Sequence, residues 1–228
     1  MKKLLMVAVM LLLVVSLSYA QYGIRGGLAL GTFTGDDKAL PLSNITGVNG
    51  GGTIDPTTRT GFAGGVSYRI GLILGLAVEP GVYYVQGGSK YEIPNTQMVS
   101  NGQNVIVSGT ATFKMDYLQV PVVAKYSLPI PIVSPYVEAG LAYSLLLSAK
   151  IKSEMTGSIG GVTQSYSNEE DVKDSYKKSD MSIVLGVGVE FLIIDVNARL
   201  ILGESTLDKD GQKKAYNRTI MLTAGVRL

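Results

Sequence analysis

The 228-residue sequence has no cysteine and no histidine, and charged residues make up only 17% of it. Without cysteine there is no disulfide framework, no thiol nucleophile and no thiolate metal site. Without histidine the usual general base, the imidazole that activates a nucleophile and the commonest metal ligand are all missing, so hydrolase triads built on histidine are excluded. An average soluble domain is about 25% charged, well above the value here. The 20 Lys and Arg nearly balance the 18 Asp and Glu, which leaves no concentrated basic surface for a nucleic acid. Beyond the first fifteen residues no apolar run reaches the ~18 residues of a spanning helix, so a mature chain that crosses a membrane does not cross it with helices.

What is abundant points to β-structure. Hydrophobic residues make up 46%, and the 28 glycines and 13 tyrosines exceed what an average domain carries, where glycine is about 7%. Residues 1–20 read as an export signal: Lys2 and Lys3 start it, an apolar stretch from Leu4 to Val15 follows, and Ser18 and Ala20 are the small residues a signal peptidase reads. Cleavage there makes residues 21–228 the mature domain, with 18 basic and 18 acidic groups.

Along that domain apolar and small or polar residues alternate with a period of two, the mark of strands whose two faces meet different surroundings. Ile24, Leu28 and Leu30 oppose Arg25, Gly27 and Ala29; Phe62, Val66 and Tyr68 oppose Ala63, Ser67 and Arg69; Val78, Val82 and Tyr84 oppose Glu79, Gly81 and Tyr83. Val120, Val122 and Tyr126 oppose Gln119, Val123 and Lys125, and Val137, Leu141 and Tyr143 oppose Tyr136, Glu138 and Ser144. Three further runs, around Leu185, Val196 and Leu222, behave alike and carry Glu190, Asp195, Asn197, Arg199 and Arg227 on the polar face. Eight runs of about ten residues are each long enough for a tilted strand to cross a bilayer. Long polar connections, near 32–61, 87–112, 152–181 and 204–217, alternate with short ones at Ile70–Ile73, Leu128–Pro135 and Phe191–Ile193. The pattern predicts an all-β fold, an eight-stranded antiparallel up-and-down transmembrane β-barrel. Pro80 and Pro121 fall inside strands, where the missing donor predicts local bulges.

Orientation follows from volume and charge. An eight-stranded barrel holds about one layer of side chains, which suits a face of Gly, Ala and Ser with a few long charged groups. The opposite face, bulky and almost uncharged, suits lipid. A lumen charge network is therefore expected from Arg25, Arg69, Glu79, Lys125, Glu138, Glu190, Asp195, Arg199 and Arg227, most of them near the short-turn end. Buried charges must pair, and an interlocked ring plugs a narrow lumen. The alternatives are a small channel for solutes gated by that ring, and a soluble secreted carrier with a lipocalin-like interior. Tyr22, Tyr68, Tyr126 and Phe191 near the short turns, with Phe62 and Tyr84 near the long connections, make two aromatic girdles.

The stretches MDYLQVPVVAKYSLP, SPYVEAGLAYSLLLSAK, SDMSIVLGVGVEF and VNARLILGEST resemble the small outer-membrane β-barrel proteins of Gram-negative envelopes often labelled porin family. The resemblance spans most of the mature chain. It implies residence in the outer membrane among lipid and lipopolysaccharide, insertion by the barrel-insertion machinery, and long extracellular loops that serve a structural role or hold an extracellular ligand. Small barrels with enzymatic activity mostly rely on histidine, which this chain lacks, so no catalytic activity and no cofactor are expected. Such barrels commonly end in an aromatic residue, where this chain has Leu228.

Other motifs carry less. Gly50, Gly51 and Gly52 lack the helix and lysine of a phosphate loop, and Asp208, Asp210 and Gly211 lack the later acid of a calcium loop. Asn44 with Thr46 and Asn217 with Thr219 match a glycosylation pattern common by chance. Residues 169–180 form a mixed charge cluster read as a hydrated loop, or as a contact with lipopolysaccharide bridged by divalent ions or with another cell.

Overall fold

The computed structural model describes residues 20–41, 52–100, 103–159, 162–207 and 214–228. The strands are β1 (Ala20–Thr34), β2 (Leu40–Pro41), β3 (Thr53–Ile54), β4 (Thr57–Gly71), β5 (Leu76–Ser100) and β6 (Gln103–Ser127), followed by β7 (Val133–Ile159), β8 (Val162–Asp171), β9 (Ser179–Phe191), β10 (Ile194–Gly203) and β11 (Tyr216–Arg227). β2 and β3 form a small separate hairpin.

Eight strands make a closed ring of antiparallel neighbours: β1 pairs β4, β4 pairs β5, β5 pairs β6, β6 pairs β7, β7 pairs β9, β9 pairs β10, β10 pairs β11, and β11 returns to β1. The seam is fastened at its end, where Tyr22 and Leu228 exchange backbone hydrogen bonds at 2.9 and 2.8 Å. Closure gives every spanning strand a partner on both sides, the condition for backbone in hydrocarbon. The short turns gather at one end, and each has an exposed apolar residue at positive φ: Leu74 (55°), Ile132 (75°) and Leu192 (52°). Among the described residues no helix is long and apolar enough to cross a membrane.

The side chains settle which face is which. Leu185 is 44% and Val187 56% exposed on the outside, whereas Arg199 is 3% exposed and Lys125 fully buried inside. The fold is an outer-membrane type of barrel with its apolar band turned outward, which removes the lipocalin-like alternative.

Two expectations need correction. The stretches read as long loops are in large part strand: β5, β6 and β7 run for 25, 25 and 27 residues, against about 9–11 needed to cross. Their outer halves, joined by β8, form a four-stranded sheet that continues beyond the ring. Its inner face is apolar, with Tyr91, Ile93, Ala111, Phe113 and Met115 buried, but its outer face is polar, so no outward apolar stripe betrays it. The prolines, too, behave otherwise than as bulges. The β5–β6 register is unchanged from Pro80↔Val122 to Tyr83↔Gln119, with pairing interrupted between them opposite Pro121. The register shifts lie elsewhere, between Thr58 and Ala63, Ile93 and Thr96, and Asp116 and Tyr117.

Candidate functional site

The lumen near the short-turn end collects charge from all eight ring strands. β1 supplies Arg25, β4 Arg69, β5 Glu79, β6 Lys125, β7 Glu138, β9 Glu190, β10 both Asp195 and Arg199, and β11 Arg227. Their side chains meet in one network. Glu79 lies within 4 Å of Arg25 (2.8 Å), Lys125 (3.7 Å), Arg199 (3.5 Å) and Arg227 (3.4 Å). Asp195 contacts Arg25, Lys125 and Arg227 at 3.1, 3.4 and 2.9 Å. Glu190 bridges Arg69 (3.0 Å), Lys125 (2.6 Å) and Arg227 (2.5 Å), and Glu138 takes Arg199 at 2.5 Å. Each carboxylate except Glu138 serves three or more cations, which offsets the cost of removing them from water.

Neutral groups complete the ring, and these sequence reasoning placed on the polar faces without giving them a role. The Tyr136 hydroxyl donates to Asp195 Oδ1 at 2.9 Å and accepts from Asn197 Nδ2 at 2.9 Å; Asn197 also donates to Glu138 at 3.0 Å. Lys125 Nζ sits 3.3 Å from the centre of the Tyr136 ring, a cation–π contact. The neighbouring strand makes room for that ring with Gly188, where a methyl group would collide with the Tyr136 phenol. Arg25 donates to the Tyr83 hydroxyl at 3.3 Å, and Arg69 to Ser127 Oγ at 3.3 Å. The available signal was their position in the alternation, since an inward tyrosine or asparagine beside charges must find a polar partner.

Beyond the charges comes an apolar layer that the two-period pattern announced only in part, at Tyr83 and Val123. Val85, Val123, Val184, Ile201 and Met221 pack with Tyr83 and several alanines at the lumen centre. A second aromatic cluster lies further toward the long connections: Phe33, Tyr91, Phe113, Met115, Tyr117 and Leu146. The Phe113 ring meets Phe33 at 5.7 Å and Tyr91 at 5.4 Å, both edge-on. Tyr91 is pinned by its hydroxyl, which donates to the Lys38 carbonyl at 2.6 Å, and burial pushes this phenol's pKa up, so it stays a donor.

The aromatic residues expected to form two girdles also have definite places. Tyr22, Phe62, Tyr126 and Phe191 are exposed on the outer face, while Tyr68 and Tyr84 are half-buried. Tyr22 and Tyr68 pair with ring centres 5.1 Å apart, and Tyr84 accepts from Gln86 Nε2 at 3.3 Å. In the mixed cluster, Glu169 reaches Lys114 at 2.7 Å and Lys150 at 3.4 Å. The Asn217 side-chain oxygen is buried without a hydrogen-bond partner, so this member of the glycosylation pattern points inward. Residues 1–19 of the export signal, Asn44 with Thr46, Gly50 and Gly51, and Asp208 to Gly211 lie outside the described residues. Among the described residues no group of three or more metal-ligating side chains is placed to hold an ion.

A closed ring of tilted antiparallel strands, greasy outside and ionic inside, is joined by a match of residues 12–203 to the model of the outer membrane protein beta-barrel domain. The chain belongs to that family. This outer-membrane barrel therefore resides in the Gram-negative outer membrane. Solved structures similar to it include Ail, the attachment invasion locus protein of Yersinia pestis, at 16% identity over 92% of this chain and 99% of that one, TM-score 0.38. Neisserial surface protein A is 13% identical over 91% and 96%, TM-score 0.42. The outer membrane protein OprG from Pseudomonas aeruginosa is 11% identical over 92% and 96%, TM-score 0.43. Among curated proteins, none matches.

Proposed function

We propose that this barrel is a non-enzymatic outer-membrane protein whose lumen is sealed and whose work is done by the sheet it holds outside the cell. The observation that carries the reading is the ring of nine charged side chains, drawn from all eight strands and bonded across the lumen. A lumen of this size has space for one layer of side chains, and here charged groups, aliphatic groups and aromatic rings fill it in succession along the axis. Charges committed to one another are poor hosts for a passing solute, which weighs against a passive channel. The lack of histidine and cysteine weighs against catalysis.

The protruding sheet supports a role in surface interaction. Its last strand, β8, pairs only with β7 among the described residues and is exposed along all ten positions. Such an edge offers unpaired backbone groups to an extended segment of another protein. In this reading lipid and lipopolysaccharide surround the apolar band, the insertion machinery closes the ring, and residues 1–20 are the export signal removed beforehand.

Planar-bilayer recording on the purified, refolded protein tests the seal. Only rare, small current steps are expected. Stable conductance of the size that water-filled porins show would overturn the sealed-lumen reading in favour of the channel.

A further inference from the structure

We propose that the outer mouth of the barrel carries a binding pocket for a small aromatic molecule of one or two fused rings with an N–H or O–H donor. It goes beyond the interaction at the sheet edge and uses different residues. The cavity measures about 190 Å³. A dry cavity of about 150 Å³ lined by Leu, Ile and Phe holds a benzene molecule, so this volume accepts a compact aromatic body.

The lining fits that occupant. Tyr91 and Phe113 form the floor with Phe33, and Leu40, Leu207 and Ala215 are the aliphatic walls. The floor rings already meet one another edge to face, the packing that a guest ring would continue. Polar groups contribute too: Asp37, Lys38, Ser175 and Tyr176 also line the cavity. One Asp37 oxygen, Oδ2, accepts the Lys214 N–H at 2.7 Å, and a carboxylate has capacity for further donors. That capacity is why the guest should bring a donor.

The pocket is also preformed, which lowers the cost of binding. The connections that frame it are tied together by backbone bonds: Asp37 N–H to the Lys214 carbonyl at 3.3 Å, Leu207 N–H to Ala215 at 2.8 Å, and Lys177 N–H to Leu207 at 3.1 Å. Tyr91 is fixed from below by its bond to Lys38. Every long connection of the barrel, or the strands that extend it, contributes a wall.

Indole is the probe, because the chain has no tryptophan and indole fluorescence can be excited where tyrosine does not absorb. The full-length protein in lipid nanodiscs is titrated and compared with empty nanodiscs. Saturable one-to-one binding is expected above the linear partition into lipid. Ala215→Phe and Leu207→Phe, which fill the cavity, should each weaken it about tenfold or more, equivalent to roughly 1.4 kcal/mol. Leu222→Phe on the lipid-facing side should leave it unchanged, and protease resistance verifies that each variant is folded. If Ala215→Phe does not fold, Leu207→Phe decides. Binding no greater than partition into empty nanodiscs, or binding that folded cavity-filling variants retain, would overturn the proposal.

Discussion

Glu79 shows what a charge inside this lumen requires. It is 1% exposed and lies within 4 Å of four cations. Glu79→Gln keeps the shape and deletes the charge, leaving five cations to share three carboxylates. Removing one partner of a buried ionic network costs about 3–5 kcal/mol, and urea unfolding in lipid vesicles should register a loss of that order. Lys125→Met should cost less, because it leaves four cations facing four acids; equal or reversed losses would count against the network as the source of stability. The nine charges were legible in the sequence because a charge on the small face of an alternating strand has nowhere else to go. Tyr136 and Asn197 were visible only as positions, since their roles depend on strands 50 or more residues away. Val85, Val184 and Ile201 were hidden, because an apolar residue on the inner face looks like an error in the pattern until the lumen's middle is seen to be dry.

At the scale of elements, the outer sheet is where reading by pattern fell short. The outward apolar stripe stops at Leu118 in β6 and Leu147 in β7, where the outward face turns to Lys114, Lys150 and Lys152, and the backbone carries on as strand. Pairing sustains it there together with burial of the inner face, where Tyr91, Phe113, Met115 and Ala149 pack. One clasp across β6, β7 and β8 is the contact of Glu169 with Lys114 and Lys150. The hydrogen bond from Lys114, with Lys150 behind it, holds the Glu169 carboxyl below its ordinary value of 4.5. A lowered carboxyl pKa contributes stability that is complete above the ordinary value and disappears as pH falls through the lowered one. Hydrogen exchange along β8 should therefore be flat from neutral pH to about 5 after correction for intrinsic rates, and should quicken below 4.5; Glu169→Gln should abolish the acid-dependent step. Charge on the free edge makes a second test. Val162 and Tyr166 are 65% and 64% exposed, so Val162→Lys with Tyr166→Lys should alter stability by no more than about 0.5 kcal/mol while weakening the capture of extended peptides selected from a display library on the unaltered protein. Peptide binding that the double variant retains in full would remove β8 as the contact.

For the whole molecule, the direction the apolar face points governs everything else. Leu185 lies near the middle of β9 on the outer surface. Leu185→Lys should destabilise the barrel in lipid vesicles by about 2–4 kcal/mol, as for a lysine at the bilayer midplane; in a water-soluble barrel the same substitution on an exposed side would be neutral or helpful. The architecture and its orientation were readable because two-period alternation, charge placement and connection length agree on one topology. The height of the outer sheet and the cap over the mouth were not, since both depend on backbone bonds between distant segments.

The seam between β1 and β11 joins the first strand to the last, and Arg25 waits for Asp195, 170 positions further along. A ribosome working from the amino end has therefore finished before the cylinder can shut. Until then Arg227 cannot reach Glu79, Glu190 and Asp195, so the ionic ring is completed only in the closing step. The slowest stage of biogenesis should be this zipping of the two ends, and damage to the final strand should leave a hydrated, protease-sensitive intermediate on the periplasmic side.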